Sequence, residues 1–205
     1  MHIKIAKDYM EMSKVAADLV ESILRKRPRL VLGLATGSTP LGLYKELVQR
    51  HKAGLDFSKV TTFNLDEYYG LSPDHPASYH YYMGEHLFEH INVDRARTHI
   101  PNGANDDAVQ ECKNYEAKIK AAGGIDLQIL GIGNNGHIGF NEPGAPFGST
   151  AGLVDLAEET IEANARFFER QEDVPRQALS MGIKSIMQCA QIVLLANGAN
   201  KADAI

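Results

Sequence analysis

The chain has 205 residues, with 21 Lys or Arg against 26 Asp or Glu, which gives a formal net charge of −5 at pH 7. A net negative charge argues against a nucleic-acid partner, because contacts with phosphate backbones need clustered cations. The hydrophobic fraction of 44% and the charged fraction of 23% are typical of a folded globular chain. No apolar run approaches the ~18 residues that cross a bilayer, so we expect no membrane-spanning segment.

The N-terminal residues and the cysteines indicate the compartment. Residues 1–5 alternate like a short strand and lack the apolar core of a secretory signal. Cys112 and Cys189 lie in unrelated contexts, a spacing that favours a reduced protein over a disulfide scaffold or a zinc module. We therefore expect a cytoplasmic protein.

Predicted helices and strands alternate along the chain. In chain order we predict a helix from Val15 that Pro28 closes, a strand at 30–35, a helix at 41–52, a strand at 60–65, helices at about 78–90 and 108–122, a strand at 125–130, helices at about 157–168 and 177–187, and a strand at 191–196. The strands are apolar on both faces, as in parallel sheets covered on each side. This pattern predicts an α/β fold with a doubly wound, mostly parallel, Rossmann-like sheet and helices on both faces.

Polar clusters follow four of the predicted strands. They lie at 36–40, 66–67, 131–142 and 197–201. Ligands of doubly wound sheets bind beyond the carboxyl ends of the strands. We therefore expect all four clusters to line one crevice.

The first cluster has the features of an anion-binding turn. It reads Thr36, Gly37, Ser38, Thr39 and Pro40. The strand ends at a Gly turn, Thr39 can cap the next helix, and Pro40 suits its first position. Free amides and hydroxyls would then face an anion, with Lys201 and Arg166 as candidate countercharges. The alternative is an ordinary capped turn, and either cation alone would be a solvated surface residue.

The second and third clusters carry groups for proton transfer. Asp66 follows a buried strand, where partial desolvation raises a carboxyl pKa toward that of a useful base. The alternative is a surface acidic pair, Asp66 and Glu67, at the start of a loop. In the Gly-rich third cluster His137 can move protons near neutral pH if Glu142 or Asn135 orients its ring.

Two other motif matches are rejected. Gly131, Gly133 and Gly136 match a dinucleotide fingerprint, with Asp155 near the position of a ribose-binding acid, but the glycines and proline that follow forbid the required helix. The segment 86–90 matches a zinc pattern, although no third ligand is apparent. Neither match therefore predicts a dinucleotide site or a zinc site.

Taken together, these clusters resemble the glucosamine-6-phosphate deaminases of the glucosamine/galactosamine-6-phosphate isomerase family. Six ordered blocks carry the resemblance, at 33–40, 63–68, 78–79, 131–133 with 136–143, 163–168 and 201–202. The related 6-phosphogluconolactonases typically have Asp-Glu-Arg where this chain has Asp-Glu-Tyr at 66–68, and they lack the Phe-Asn-Glu-Pro continuation at 140–143.

The resemblance implies a function and a set of roles. It implies conversion of D-glucosamine 6-phosphate and water to D-fructose 6-phosphate and ammonia, in the breakdown of N-acetylglucosamine, without a cofactor. His137, assisted by Glu142 and Asn135, would open the sugar ring, and Asp66 would move a proton from C2 to C1. The phosphate would lie on the 36–39 turn with Ser38, Thr39, Arg166 and Lys201. Alternatives are a lactonase-like hydrolase or a phosphosugar-binding fragment without activity.

The sequence departs from the family pattern at three places. Many relatives have Asp where this chain has Asn135, and many read Ser-Arg-Thr where it has Ser-Thr-Ala at 149–151. The family also continues beyond Lys201 with the rest of a helix, a strand and often another helix. We therefore expect residues 1–205 to form a single domain that lacks its C-terminal strand and helix. A homo-oligomer is possible for this family.

Overall fold

The computed structural model describes residues 1–165 and 168–205, and its strands form two sheets. The strands are β1 (Val31–Leu34), β2 (Thr61–Asn64), β3 (Asp66–Tyr68), β4 (Thr98–His99), β5 (Leu127–Leu130), β6 (Gly152–Asp155), β7 (Gln177–Ser180) and β8 (Ile192–Leu194). Five of them form a parallel sheet in the order β4-β2-β1-β5-β8. The chain builds outward from β1 in one direction and then in the other, so the predicted doubly wound α/β fold is confirmed.

The helices begin and end close to the predicted positions in most places. They are α1 (Tyr9–Lys26), α2 (Leu41–Lys52), α3 (Tyr79–Met83), α4 (Ala108–Ala121), α5 (Glu158–Asn164) and α6 (Ile183–Met187). The predicted 78–90 helix is α3 followed by a π-helical segment, Gly84–Phe88. Short 3-10 turns span Arg95–Arg97, Gln171–Asp173 and Ala199–Ala204. None of the helices in the described ranges is long and apolar enough to cross a membrane.

Helices cover the parallel sheet on both faces. On one face the inward side chains of β1 join those of α1 and α2, and Leu32, Leu34, Val20 and Leu47 are all buried there. On the other face Phe63 packs edge-on against Tyr115 of α4 at a centroid distance of 5.8 Å. This double burial explains why the strands are apolar on both sides.

A second sheet was not predicted. It is antiparallel, in the order β3-β7-β6, and pairs Asp66 with Ser180. The predicted helix at 177–187 is therefore wrong: residues 177–180 form β7, and only 183–187 are helical. Pairing on both sides makes β7 a central strand, since Ala178 and Leu179 are fully buried between β3 and β6. The pair Asp66 and Glu67 accordingly begins a strand, not a loop.

The N-terminal prediction was also wrong. Residues 1–6 form no strand, and Ile3 and Ile5 are 77% and 92% exposed. They pair with no strand in the described part of the chain, so their alternation buries nothing. Helix α1 starts at Tyr9, six residues before the predicted Val15, because the Asp8 side chain accepts a hydrogen bond from the amide of Glu11.

Gly33 allows β1 to lie against β5. A Cβ atom at Gly33 would lie 2.0 Å from Oε1 of Gln128, a side chain that is fully buried and donates to the carbonyl of Ile129. We expect Gly33→Ala to lower the free energy of unfolding by about 1–3 kcal/mol, because the added methyl overpacks this contact. Urea unfolding measures the loss.

The matched control is the same substitution in a Gln128→Ala background. There the methyl has room, so Gly33→Ala should cost much less. An equal cost in both backgrounds would contradict the proposed clash.

Candidate active site

A cleft of about 790 Å³ opens at the carboxyl ends of the parallel strands. Its lining comes from the segments that follow β1, β2, β5 and β8, and includes Thr36, Gly37, Ser38, Thr39, Asp66, Gly131, Asn135, His137, Asn197 and Lys201. The predicted convergence of four clusters on one crevice is confirmed. The cleft lies at the point where the chain direction across the sheet reverses, between β1 and β5.

The turn after β1 presents its backbone amides. Gly37 has a φ of +88°, a conformation that suits glycine. The amides of Thr36, Gly37, Ser38 and Thr39 donate to no group within the described residues. The expected cap by Thr39 is wrong, because α2 begins after Pro40 without any side-chain cap. The turn nevertheless offers several free N–H groups and three hydroxyls in front of a helix, which favours an anion.

Asp66 carries a buried carboxylate beside the cleft. The residue is 5% exposed, and its carboxylate accepts no hydrogen bond from the described residues. Gly139, with a φ of +60°, approaches so closely that a Cβ atom there would lie 3.2 Å from Oδ2 of Asp66. Burial, and secondarily the charge of Glu67, raise the pKa of Asp66 to about 8. The carboxylate is thus a strong base when it is ionised.

Glu67 is fully satisfied by hydrogen bonds, unlike its neighbour. Successive side chains of a strand point to opposite faces, so Glu67 points away from Asp66. Its carboxylate accepts from the amides of Tyr68, Tyr79 and His80 at 2.9–3.0 Å and lies 2.9 Å from Nδ1 of His80. These bonds hold the start of α3 against β3.

A chain of hydrogen bonds fixes the ring of His137. Nδ1 of His137 lies 2.8 Å from Oδ1 of Asn135, and Nδ2 of Asn135 donates to Glu142 at 2.7 Å. Thr160 donates to the other oxygen of Glu142 at 3.0 Å. Because the Asn135 amide nitrogen faces Glu142, its oxygen must accept from His137, so Nδ1 carries the hydrogen and Nε2 is left as an acceptor.

The surroundings of His137 favour the neutral form of its imidazole ring. Burial lowers the pKa of His137, with a smaller contribution from Lys201, while Glu142 opposes the shift. Gly133 provides the space for the ring, since a Cβ atom there would lie 2.3 Å from it. A neutral ring with a free Nε2 can accept a proton near neutral pH.

Lys201 and Arg166 are the two expected countercharges for an anion in the cleft. Lys201 lies on the 3-10 turn at Ala199–Ala204 and lines the cleft. The neighbouring Asn200 donates to Asn134 at 2.9 Å, which ties this turn to the loop after β5. Burial lowers the pKa of Lys201. Arg166 lies outside the described residues.

Sequence reasoning missed several residues of the cleft wall. Tyr79 and Phe140 both line it, with their rings stacked at 6.1 Å and 7°. Thr160 and Asn164 approach from α5. Ser78 caps α3 through its side chain, a local signal that placed a helix start at this point but did not indicate that the next residue faces the cleft.

Comparison with known proteins identifies the family of this chain. Residues 8–205 match the family described as glucosamine-6-phosphate isomerases/6-phosphogluconolactonase. The chain is 59% identical to the glucosamine-6-phosphate deaminase of Halothermothrix orenii and 60% identical to that of Alkaliphilus metalliredigens, covering all of this chain and 86% and 85% of those proteins. Among solved structures, it is similar to a monomeric glucosamine-6-phosphate deaminase, with 47% identity and a TM-score of 0.97, covering 100% of this chain and 85% of that one.

More distant structures share only the fold. The 6-phosphogluconolactonase of Trypanosoma brucei has 18% identity and a TM-score of 0.78, over 98% of this chain and 83% of that one. The fold is a doubly wound α/β sheet with a cleft at the carboxyl ends of its strands. The chain belongs to the glucosamine-6-phosphate isomerase/6-phosphogluconolactonase family.

The raised pKa of Asp66 can be measured directly. We expect a side-chain carboxyl ¹³C resonance that titrates near pH 8 and is absent from Asp66→Asn. Titration of every aspartate below pH 5 would contradict the environment described for Asp66.

The same shift has a consequence for stability. The native state retains a proton that the unfolded chain loses near pH 4, so the free energy of unfolding should fall as the pH rises toward 8. Asp66→Asn should remove this dependence and be the more stable protein at pH 9, by at least about 1 kcal/mol. Denaturant unfolding at pH 5 and pH 9 measures both proteins.

Proposed function

We propose that this chain converts D-glucosamine 6-phosphate and water to D-fructose 6-phosphate and ammonia. One juxtaposition carries the proposal: an unpaired, buried carboxylate, a neutral histidine with a free Nε2 and a turn of free amides line the same cleft. The high identity to the deaminases of Halothermothrix orenii and Alkaliphilus metalliredigens supports the same reaction.

The phosphate group binds at the turn after β1. The free amides of 36–39 and the hydroxyls of Ser38 and Thr39 surround it, and the Lys201 ammonium supplies charge from the other side of the cleft. The family resemblance implies that Arg166 also binds the phosphate. With the phosphate there, the sugar extends along the cleft toward Asp66 and His137.

His137 opens the pyranose ring. Its Nε2 accepts the proton of the C1 hydroxyl and returns it to the ring oxygen as the C1–O5 bond breaks, which leaves the open-chain aldehyde. A neutral imidazole is the form that can begin this step, and its lowered pKa keeps that form present at neutral pH.

Asp66 then moves a proton between two carbons. The ionised carboxylate takes the proton from C2 while the C1 oxygen takes a proton from the substrate's C2 ammonium group, which gives a neutral enolamine. The protonated Asp66 then delivers its proton to C1. The product is the imine of fructose 6-phosphate. Water adds at C2 and ammonia leaves, so one water is consumed for each ammonia released.

Glu142 compensates in part for the neutral Asn135. An aspartate at position 135 would stabilise an imidazolium directly, whereas Asn135 only orients the ring. The Glu142 carboxylate lies 4.0 Å from Nδ1 of His137 and accepts a hydrogen bond from the Asn135 amide. It therefore supplies a negative charge near the ring without bonding to the ring directly.

The cellular setting follows from the chemistry. The substrate is a phosphosugar that arises in N-acetylglucosamine catabolism, and the overall reaction is a hydrolysis. Free thiols at Cys112 and Cys189 suit a reducing compartment such as the cytoplasm. The proposal that residues 1–205 form one domain is supported by the hydrogen bond from the amide of Met181 to the carbonyl of Leu65, at 2.7 Å, which joins the two sheets.

Ammonia release with D-glucosamine 6-phosphate tests the activity, and Asp66→Asn tests its base. We expect the variant to lose at least about a thousandfold in kcat while binding substrate within about tenfold of the wild type, since the lost group acts mainly in the transition state. If the wild-type protein hydrolyses 6-phosphogluconolactone and releases no ammonia from D-glucosamine 6-phosphate, a lactonase would be favoured. Binding of the phosphosugar with neither reaction would favour a non-catalytic protein.

His137→Gln separates ring opening from isomerisation. We expect a loss of about a hundredfold or more on the cyclic substrate and a much smaller loss on substrate trapped in its open-chain form, because the role of His137 ends once the ring is open. Stopped-flow measurement on freshly generated open-chain substrate provides the comparison. Equal losses on both forms would contradict this role.

A further inference from the structure

Three tyrosines surround the turn at 35–39 from behind, and each belongs to a different helix. Tyr9 of α1 donates its hydroxyl hydrogen to the carbonyl of Ser38 at 3.0 Å. Tyr82 of α3 donates to the carbonyl of Gly37 at 2.6 Å, and Tyr44 of α2 donates to the carbonyl of Ala35.

These bonds determine which way the peptide groups of the turn face. In a trans peptide the C=O and the following N–H point in opposite directions, and the described chain has no cis peptide. A tyrosine hydroxyl on the Gly37 carbonyl therefore directs the Ser38 amide away from Tyr82, and the bond to Ser38 does the same for the Thr39 amide. The segment that carries these amides lines the cleft.

Tyr9 also bonds the first turn of α2, which connects that helix to the turn at 35–39. Its hydroxyl oxygen accepts from the amide of Gly42, in the first turn of α2, at 2.7 Å. Helix α1 comes this close because position 42 is a glycine: a Cβ atom there would lie 2.2 Å from Oγ of Ser13 and 3.0 Å from the Tyr9 ring.

From these contacts we propose that Tyr9, Tyr44 and Tyr82 are positioning residues for a phosphate-binding turn, and that they set its affinity for a phosphomonoester by fixing its carbonyls away from the cleft. We call them the tyrosine clamp. The inference rests on the proposed function for the identity of the phosphorylated substrate, but the clamp itself concerns only phosphate binding.

Burial keeps the hydroxyls of Tyr44 and Tyr82 in the donating form. Tyr44 is fully buried and Tyr82 is half-buried, and burial raises the pKa of both well above the ordinary value for tyrosine. Tyr82 is held through α3, whose first turn is bonded to the buried Glu67 carboxylate. Loss of one hydroxyl frees a carbonyl to turn toward the cleft, where it would repel phosphate oxygens.

The test compares Tyr82→Phe and Tyr9→Phe with Tyr69→Phe. Tyr69 also donates to a backbone carbonyl, that of Asp106 at 3.2 Å, which lies outside the turn at 35–39, so it is the matched control. The probe is inorganic phosphate, titrated calorimetrically at constant ionic strength. We expect the dissociation constant to rise about threefold to tenfold in each clamp variant and to change less than about 1.5-fold in the control.

Kinetics give a readout that a general loss of structure would not. With D-glucosamine 6-phosphate, KM should rise in step with the phosphate dissociation constant while kcat stays within about twofold. Gly42→Ala provides a second route that removes no hydroxyl, because the added methyl displaces the Tyr9 ring. It should weaken phosphate binding as Tyr9→Phe does.

The outcomes separate the clamp from the proposed reaction. Phosphate affinity within twofold of the wild type in both clamp variants, or a wild-type protein that does not bind phosphate, would overturn the clamp. Weakened phosphate binding in those variants together with no ammonia release by the wild type would support the clamp and overturn the deaminase reaction.

Discussion

The parallel pairing of β1 with β2 on one side and β5 on the other determines where the chemistry of this protein lies. Because the strands run in the same direction, their carboxyl ends meet at one edge, and the segments that follow them share one cleft. The pairing of β1 with β5 depends on Gly33, which leaves room for the buried side chain of Gln128. The reversal of strand order at this pair opens the crevice.

Beside that cleft, two adjacent carboxylates, those of Asp66 and Glu67, lie in different environments and have different properties. The carboxylate of Asp66 is buried without a hydrogen-bond partner in the described chain, so its pKa is raised to about 8, which suits the base proposed for the reaction. Glu67, next to it, accepts four contacts and serves as an anchor for α3. Its charge also contributes to the raised pKa of Asp66. Structure and reactivity are thus coupled through one adjacent pair of carboxylates.

Local sequence patterns were sufficient to predict the parallel sheet and the cleft. A run such as 30–35 is apolar on both faces and ends at a Gly turn, so both the strand and the ligand-binding end could be recognised. The His137 loop was recognised by its density of Gly, Asn and Glu, and the expected orientation by Asn135 and Glu142 is what the structure contains.

Features that depend on distant parts of the chain could not be predicted in this way. The strand at Gln177–Ser180 is short and apolar, a pattern that fits a buried helix equally well, and its identity depends on pairing with Asp66–Tyr68 more than a hundred residues away. The tyrosine clamp is similar, because Tyr9 and Tyr82 reach one turn from separate helices. Such contacts exist only after the core has formed.

A crystal structure with an open-chain substrate analogue, 2-amino-2-deoxyglucitol 6-phosphate, tests the central claim most directly. The account predicts that its phosphate lies on the free amides of 36–39 beside Lys201, and that its C2 lies about 3–4 Å from a carboxylate oxygen of Asp66, a distance suited to proton transfer. A phosphate bound elsewhere, or a C2 atom out of reach of Asp66, would contradict the account.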